Sequence, residues 1–229
     1  MSAQRKADYI SLEEYHDILL SGDIKYEWYN GQMWPKEHPD GFSVSPGAPV
    51  AMAGTQPNHS RVKHNIERRL GNQLDGGPCE VMSGDQKIRV ESSEINAFPD
   101  VVVFCEDARF EVVRGLETLL DPLVLVEILS PSTARFDLTD KWAHYRLIAS
   151  LRDYLIVFSD QMRVQHYARQ DDGSWNERVF TRADEEIPLS GIAANLNLAE
   201  VYKRVVFPDE PTSRTPPAAN TTASRTQFF

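Results

Sequence analysis

Two dense apolar runs constrain the fold of this chain more than any other feature of its sequence. Residues 101–105 read VVVFC, and residues 122–129 read PLVLVEIL. Short runs of Val, Ile and Leu without polar alternation are typical of strands that lie in the middle of a sheet. The sequence therefore predicts central strands that are covered on both faces.

The second run contains one carboxylate, Glu127. Burying an unpaired carboxylate costs several kcal/mol or more, so such a group normally has a metal ion, a cation or a bound proton beside it. The alternative is that Glu127 lies on an edge strand and faces solvent. If the run is central, the rest of the chain must supply a partner for this acid.

The other elements are predicted from local signals. Ser11 and Glu14 form a capping-box pattern that starts a short helix, and Asn30-Gly31 between two strand-like runs predicts a β-hairpin. Apolar residues at every fourth position predict a helix over residues 59–74. Further strands are predicted in the segments 79–91, 98–106, 153–159, 163–169 and 175–181, and further helices in 137–150 and 195–202.

The chain of 229 residues is long enough for one sizeable domain. We expect residues 1–207 to form this domain, with a long irregular loop at 37–58 where Pro, Gly and small residues dominate. Residues 208–229 are rich in Pro, Ser, Thr and Ala and have no core-forming pattern. We therefore expect them to be a disordered C-terminal tail.

Composition and charge argue against several classes of protein. No stretch approaches the roughly 18 apolar residues of a membrane span. The N-terminus also lacks the apolar run of a signal peptide. We therefore expect a cytoplasmic protein without membrane association. Cys79 and Cys105 lack C-x-x-C spacing, and we expect both to be plain core residues. The net charge of −10 argues against a generally basic DNA-binding surface, but it leaves open a local basic groove on an acidic body.

Asp100 and Lys141 are the candidate partners of Glu127. Asp100 follows Pro99 at the start of the preceding strand, so if the two strands are neighbours their carboxylates can converge and bind a divalent cation through oxygen ligands. Lys141 falls within the apolar arc of the predicted helix 137–150, where an ammonium group needs a carboxylate partner. The alternatives are that Asp100 is a strand-start turn residue and that Lys141 extends to solvent along aromatic rings.

Two carboxylates and one ammonium group in an apolar setting suit the hydrolysis of a phosphodiester. The acids can hold a metal ion that acidifies a water molecule and polarises the phosphate, and the ammonium group can orient that water or stabilise the developing charge. The sequence has no phosphate-binding glycine loop, no G-x-S-x-G and no H-E-x-x-H. These absences argue against a nucleotide hydrolase, an esterase and a zinc protease.

At these residues the chain resembles the Uma-two family of restriction endonucleases, a branch of the PD-(D/E)xK nuclease superfamily. The resemblance covers roughly residues 11–207 and rests on the segments YEWYNG, NHSRV, FPDVVV, LVEILSPST, DKWAHYR and SLRDYLIV. It implies an α/β (α+β) fold of the restriction-endonuclease-like type. In such a fold a mixed central sheet is flanked by helices and carries an N-terminal hairpin arm.

The same resemblance implies which residues form the active site. Asp100 answers to the Asp of the PD element and Glu127 to the acid of the second motif, whereas the usual lysine two residues later is Leu129 here. The resemblance implies that Lys141 of the following helix replaces it, so that Asp100, Glu127 and Lys141 are catalytic. It also implies that Mg²⁺ (or Mn²⁺) is held by Asp100, Glu127 and the backbone carbonyl of Ile128. DNA is the expected partner, and a homodimer is a further expectation.

Several residues keep two interpretations. Glu27 matches the Y-E-x-x-x-G element of the family and is either a third acid near the metal or a hairpin residue that fixes the arm. His59 starts its helix where the family also has a histidine, but a core or capping histidine explains it as well. Arg61, His64 and Arg68 could contact phosphates as one helical face, or they could be a solvated charged face.

The sequence therefore supports two functions from different classes. The first is a Mg²⁺-dependent DNA endonuclease, favoured by the presence of Asp100, Glu127 and Lys141. The second is a catalytically silent nuclease-fold module for binding or assembly, in which the three charges serve structure only. The acidic composition favours the module, because phosphate contacts dominate the affinity of proteins for DNA.

Overall fold

The structure is a computed structural model that describes residues 9–22, 24–36, 57–129 and 141–207. The predicted tail 208–229, nearly all of the predicted loop 37–58 and the start of the predicted helix 137–150 lie outside these ranges. The helices and strands are α1 (Leu12–Ser21), β1 (Tyr26–Tyr29), β2 (Gln32–Pro35), α2 (Pro57–Leu74), β3 (Cys79–Ser83), β4 (Lys87–Val90), β5 (Ile95–Ala97), β6 (Val101–Cys105), β7 (Phe110–Val113), β8 (Leu116–Leu119), β9 (Val124–Leu129), α3 (Trp142–Tyr145), β10 (Asp153–Phe158), β11 (Val164–Arg169), β12 (Trp175–Phe180), β13 (Glu186–Leu189), β14 (Ala194–Asn197) and α4 (Leu198–Val201).

Two six-stranded sheets form the framework. The first has the strand order β2-β1-β5-β4-β8-β7 and the second the order β12-β11-β10-β9-β6-β3. Both sheets are mixed, because β4 and β8 are parallel in the first and β9 and β10 in the second. The fold is therefore a mixed α+β fold, which confirms the predicted class. The strands β13 and β14 form a separate small hairpin.

The second sheet is the central layer of the molecule. On one face, Val101 and Val103 of β6 pack with Val62 and Ile66 of α2 in one buried cluster. On the other face, the alternate residues of β6 and β9 pack against strands of the first sheet in a second cluster, which includes Ile88 of β4. The two apolar runs are thus central strands covered on both faces, as predicted, although one of the covers is a sheet rather than helices.

The N-terminal elements follow their local signals. The side chain of Ser11 accepts from the N–H of Glu14, and the Glu14 side chain accepts from the N–H of Ser11, so the predicted capping box is present. Asn30 and Gly31 have φ angles of 48° and 78°, the left-handed conformation that a two-residue hairpin turn requires. The hairpin does not stand apart as an arm, because β1 pairs with β5 and the hairpin is thereby part of the first sheet, with β2 at its edge.

The predicted helix 137–150 is shorter at its C-terminal end than its periodicity indicated. Its described part is helical only over Trp142–Tyr145. The guanidinium group of Arg169 donates hydrogen bonds to the carbonyl oxygens of Arg146, Ile148 and Ala149 at 2.7–3.1 Å. These carbonyls are therefore satisfied by a side chain from β11 and do not need a further helical turn.

The structure also corrects the prediction for the two cysteines. Cys79 and Cys105 are directly opposite each other in the antiparallel pair of β3 and β6, with Cα atoms 3.9 Å apart, and a disulfide joins them. Both residues are only half-buried. The prediction of two plain core residues is wrong, because the strand register that brings them together is not visible in their sequence spacing.

Three smaller features were not predicted. The segment 79–91 forms two strands, β3 and β4, which belong to different sheets. The hairpin of β7 and β8 turns at Arg114 and Gly115, both with positive φ. The hairpin of β13 and β14 includes the first residues of the predicted helix 195–202, so this helix is shorter than predicted and covers only Leu198–Val201. No helix in the described part of the chain is long and apolar enough to cross a membrane.

Candidate active site

Asp100 and Glu127 lie at the same end of two adjacent strands. The strands β6 and β9 are antiparallel, with Val101 opposite Val126, so the register places Asp100 beside Glu127. The backbone N–H of Ile128 donates a hydrogen bond of 2.7 Å to Asp100 Oδ2. The strands are therefore neighbours, which is the condition on which the predicted convergence of the two acids depended.

Two cationic or polar side chains hold the carboxylate of Asp100. Lys36, directly after β2, places its Nζ atom 3.0 Å from Oδ1, and His59 in the first turn of α2 places its Nε2 atom 3.3 Å from Oδ2. Burial alone would raise the pKa of Asp100, but the Lys36 ammonium and the hydrogen bonds from His59 and Ile128 outweigh it and hold this pKa well below its usual range. Asp100 is therefore ionised at neutral pH.

Glu127 is held by Lys141 and Tyr145. Lys141 Nζ lies 3.1 Å from Glu127 Oε1, and the Tyr145 hydroxyl donates to the same oxygen at 2.9 Å. Burial and the nearby Glu127 charge raise the pKa of Tyr145 well above its usual value, so this phenol remains a donor. Lys141 is only 3% exposed. The structure thus excludes the alternative in which Lys141 extends to solvent.

Glu27 of β1 is a third buried acid in the same cluster. Lys141 Nζ lies 2.9 Å from Glu27 Oε1, so one ammonium group bridges Glu27 and Glu127. The indole N–H of Trp34 and the backbone N–H of Phe98 also donate to Glu27. The position of Glu27 agrees with both interpretations, because Glu27 is a residue of the hairpin and also lies beside the predicted site.

The cluster carries a net negative charge. It contains three carboxylates, on Glu27, Asp100 and Glu127, and two ammonium groups, on Lys36 and Lys141, and the formal charges of these five groups sum to +2 − 3 = −1. Burial would lower the pKa of Lys36, but the charges of Asp100 and Glu127 raise it above its ordinary value. The site is therefore electrostatically complementary to an additional cation.

The donor set also suits a hard divalent cation. In a strand the N–H and C=O of one residue point to the same side, so the carbonyl of Ile128 faces Asp100 as its N–H does. Within the described ranges, no three His, Cys, Asp or Glu side chains are grouped as a metal site would require. A cation held by Asp100, Glu127 and the Ile128 carbonyl would complete its coordination with water or phosphate oxygens, which is the usual arrangement for Mg²⁺.

Lys36 and the role of His59 were not predicted from sequence. Lys36 follows an ordinary hairpin strand, and no periodicity or motif distinguishes it from a surface lysine. His59 contacts Asp100 rather than serving as a core or capping histidine, and its Nδ1 atom is buried with no hydrogen-bond partner among the described residues. For His59, the sequence signal of a role in the site was that the Uma-two family has a histidine at the matching position.

A basic cleft opens beside Asp100. It has a volume of about 380 Å³ and lies between the first half of α2 and the turn that joins β3 to β4. Its wall includes three lysines and two histidines but two acidic residues, so basic side chains predominate. The residues that line it are Lys25, Lys36, His59, Ser60, Lys63, His64, Glu67, Ser83, Gly84 and Asp100. The protein is acidic overall, but it has a locally basic groove next to the candidate site. The net charge had left this possibility open.

The predicted phosphate-contacting face of α2 is only partly in this cleft. His64 lines it, but Arg61 and Arg68 do not. Arg61 is exposed and donates to Asn58, and Arg68 lies 4.0 Å from Glu200. For the two arginines the interpretation as part of a charged surface is therefore the better one.

Comparison with known proteins gives one family and two similar sequences. The model of the Uma2 family, described as "Putative restriction endonuclease", matches residues 42–200. An uncharacterized protein of Synechocystis sp., slr1290, is 30% identical over 198 residues, which cover 86% of this chain and 94% of that protein. A second one, sll1609, is 31% identical over 144 residues, which cover 63% of this chain and 81% of that protein.

The fold is similar to that of a solved crystal structure. The crystal structure of a "putative nuclease belonging to DUF820" from Anabaena variabilis aligns with a TM-score of 0.63 and covers 86% of this chain and 99% of that one. The two sequences are 17% identical in this alignment. At this identity the likeness concerns the fold and not the activity.

Proposed function

The chain belongs to the Uma2 family, and on this premise we propose that it is a divalent-metal-dependent DNA endonuclease that hydrolyses phosphodiester bonds. The observation that carries the proposal is the buried cluster of Glu27, Asp100, Glu127 and Lys141, which reaches a basic cleft through Asp100. A fold without catalysis has no need to bury three carboxylates at one strand end, because each ionised group loses hydration there.

The proposed metal is Mg²⁺ or Mn²⁺, with Asp100, Glu127 and the backbone carbonyl of Ile128 as its protein ligands. When bound, such an ion lowers the pKa of a coordinated water and polarises a phosphate oxygen. Asp100 is prepared for this role by its depressed pKa, and Glu127 is held in place by the Tyr145 hydroxyl. Asp100 therefore requires no rise in pH to become a ligand.

We assign Lys141 the role of orienting the attacking water or stabilising charge that develops on the phosphate. Its ammonium group is positioned by Glu27 and Glu127, both within 3.1 Å. Glu27 in this proposal is a positioning residue, because it holds Lys141 from β1, a strand of the other sheet. This explains why a hairpin residue is buried in the same cluster.

A catalytically silent module remains the second candidate. The observation that favours it is that Asp100 and Glu127 already have lysine partners in the structure. An ion-pair network of this kind can hold the two sheets together without any reaction. The two candidates predict different outcomes when the protein is supplied with metal and DNA.

The direct test is cleavage by the wild-type protein. Single-stranded, double-stranded and branched DNA are each incubated with the protein and either Mg²⁺ or Mn²⁺, and the products are separated by electrophoresis. We expect cleavage that requires the metal and stops when a chelator is added. Inactivity on all three substrates, in a preparation shown to be folded by a cooperative thermal transition, would favour the module.

Metal binding can be measured without any reaction. We expect Mn²⁺ to bind weakly in the absence of DNA, with a Kd on the order of 10⁻⁴–10⁻³ M, because only two carboxylates and one carbonyl contribute. Titration calorimetry should show this affinity falling at least roughly tenfold in Asp100→Asn and in Glu127→Gln, a loss that corresponds to one ligand contact. The control is Glu80→Gln, an exposed position on β3. Equal binding by all four proteins would place the ion elsewhere.

A further inference from the structure

Two lysine side chains converge on the backbone of one glycine in the basic cleft. A Cβ atom built on Gly84, in the turn between β3 and β4, would lie 3.0 Å from Lys63 Nζ and 3.1 Å from Lys36 Nζ. The lysines come from α2 and from the residue after β2, so three separate parts of the chain meet here. Gly84 does not have the positive φ that favours glycine. A side chain at this position would crowd the two ammonium groups and push them apart.

Two acids, Glu67 and Asp85, act on the charge of Lys63 without a close ion pair. Lys36 is paired with Asp100 at 3.0 Å, but the one carboxylate within 4.0 Å of Lys63 among the described residues is Glu67, at that distance. Both Nζ atoms lie within 3.1 Å of the position of a Cβ atom on Gly84, and two positive charges directed at one point favour an anion there. The pair is therefore arranged to receive a negatively charged group.

The space above the pair is open and leads to the candidate active site. Lys36, Lys63 and Gly84 line the same cleft of about 380 Å³ as Asp100 does. This volume is in the range of about 300–1,000 Å³ that is usual for small-ligand sites. Because Lys36 contacts both this space and Asp100, an anion bound by the two lysines would lie next to the carboxylate cluster.

We propose that Lys36 and Lys63, converging over Gly84, form a phosphate-binding subsite for the nucleic-acid backbone. The proposal deepens the proposed nuclease function and depends on it for the identity of the ligand. The subsite binds a backbone phosphate without reading sequence and so places the neighbouring phosphodiester at Asp100 and Glu127. His64 and Lys25, the latter paired with Asp85, line the same cleft. The subsite gives DNA a place to bind on a protein whose net charge is −10.

Two variants probe this subsite without touching the carboxylates. Lys63→Gln removes the charge of one of the two converging lysines. Gly84→Ala adds a methyl group where the two ammonium groups converge, and the flexible ends of the lysines can move away from it, so the fold should persist while the subsite is lost. The matched controls are Gly71→Ala, where a Cβ atom meets nothing within 4 Å, and Arg178→Gln on β12, at the opposite edge of the second sheet from β3.

The measurement is fluorescence anisotropy of a short labelled DNA duplex of mixed sequence, in the presence of a chelator so that no cleavage occurs. We expect Lys63→Gln and Gly84→Ala each to weaken binding about tenfold, and Lys63→Gln to reduce the slope of log K against log salt by about 1. The two controls should bind like the wild type. Thermal melting of each variant verifies that it is folded.

The outcomes separate this proposal from the nuclease proposal. If the wild type binds DNA and both variants bind equally well, the subsite is wrong, whatever the cleavage assay shows. If the variants lose binding but the wild type cleaves no substrate, the subsite stands and the enzymatic function fails. A wild-type protein that binds no DNA overturns the subsite.

Discussion

Replacing Lys141 with alanine is expected to abolish metal-dependent DNA cleavage and to lower the free energy of unfolding by about 3–5 kcal/mol. The reason for both effects is the position of the ammonium group, 2.9 Å from Glu27 and 3.1 Å from Glu127 and only 3% exposed. Its removal leaves two buried carboxylates without their common cation. Cleavage is measured by electrophoresis and stability by denaturant unfolding.

Loss of activity through unfolding has to be separated from loss of a catalytic group. The double variant Glu27→Gln/Lys141→Met removes one negative and one positive charge, so the net charge of the cluster stays at −1. We expect it to recover most of the stability that Lys141→Ala loses and to remain inactive. Cleavage at the wild-type rate by this folded double variant would show that Lys141 has no catalytic role.

Replacing Lys36 with methionine should cost a similar amount, about 3–5 kcal/mol, because it removes one partner of a buried ion pair. Lys36 Nζ lies 3.0 Å from Asp100 Oδ1, and their side chains are 10% and 6% exposed. A loss of this size corresponds to a fall of roughly 10 °C in Tm for a domain of about 200 residues. Differential scanning calorimetry in the presence of a chelator measures it.

A divalent cation should restore part of this loss. If Asp100 and Glu127 form a metal site, Mn²⁺ supplies the positive charge that Lys36→Met has removed, so the ion should raise the Tm of this variant more than that of the wild type. Lys25→Met is the matched control, since Lys25 lines the same cleft but its side chain is 40% exposed. Equal Mn²⁺ shifts in all three proteins would argue that no metal binds next to Lys36.

The structure changes the stability that we expect of a Lys141 variant. From sequence, Lys141 was either a catalytic group or a structural partner of the acids, and a loss of stability would have distinguished these roles. In the structure it is fully buried between two carboxylates, so a stability loss is expected in either case. Only the activity of a stable variant can now separate the two roles.

Local signals determined most of the secondary structure and part of the site. The capping box at Ser11, the Asn30-Gly31 turn and the four-residue spacing in α2 depend on interactions between residues close in sequence, which the sequence displays directly. Asp100 and Glu127 could be identified because each is an acid at an apolar strand, and such a position demands a partner.

The tertiary structure decided which residues complete the site. Lys36 is 100 − 36 = 64 positions before Asp100, and Gly84 and Lys63 belong to different elements, so their meeting depends on how the hairpin, α2 and the two sheets pack. The same holds for the disulfide of Cys79 and Cys105, which follows from the register of β3 and β6. Sequence patterns report the burial and periodicity of single elements, whereas the pairing of distant elements is set by the free energy of the whole packed core, which no short segment contains.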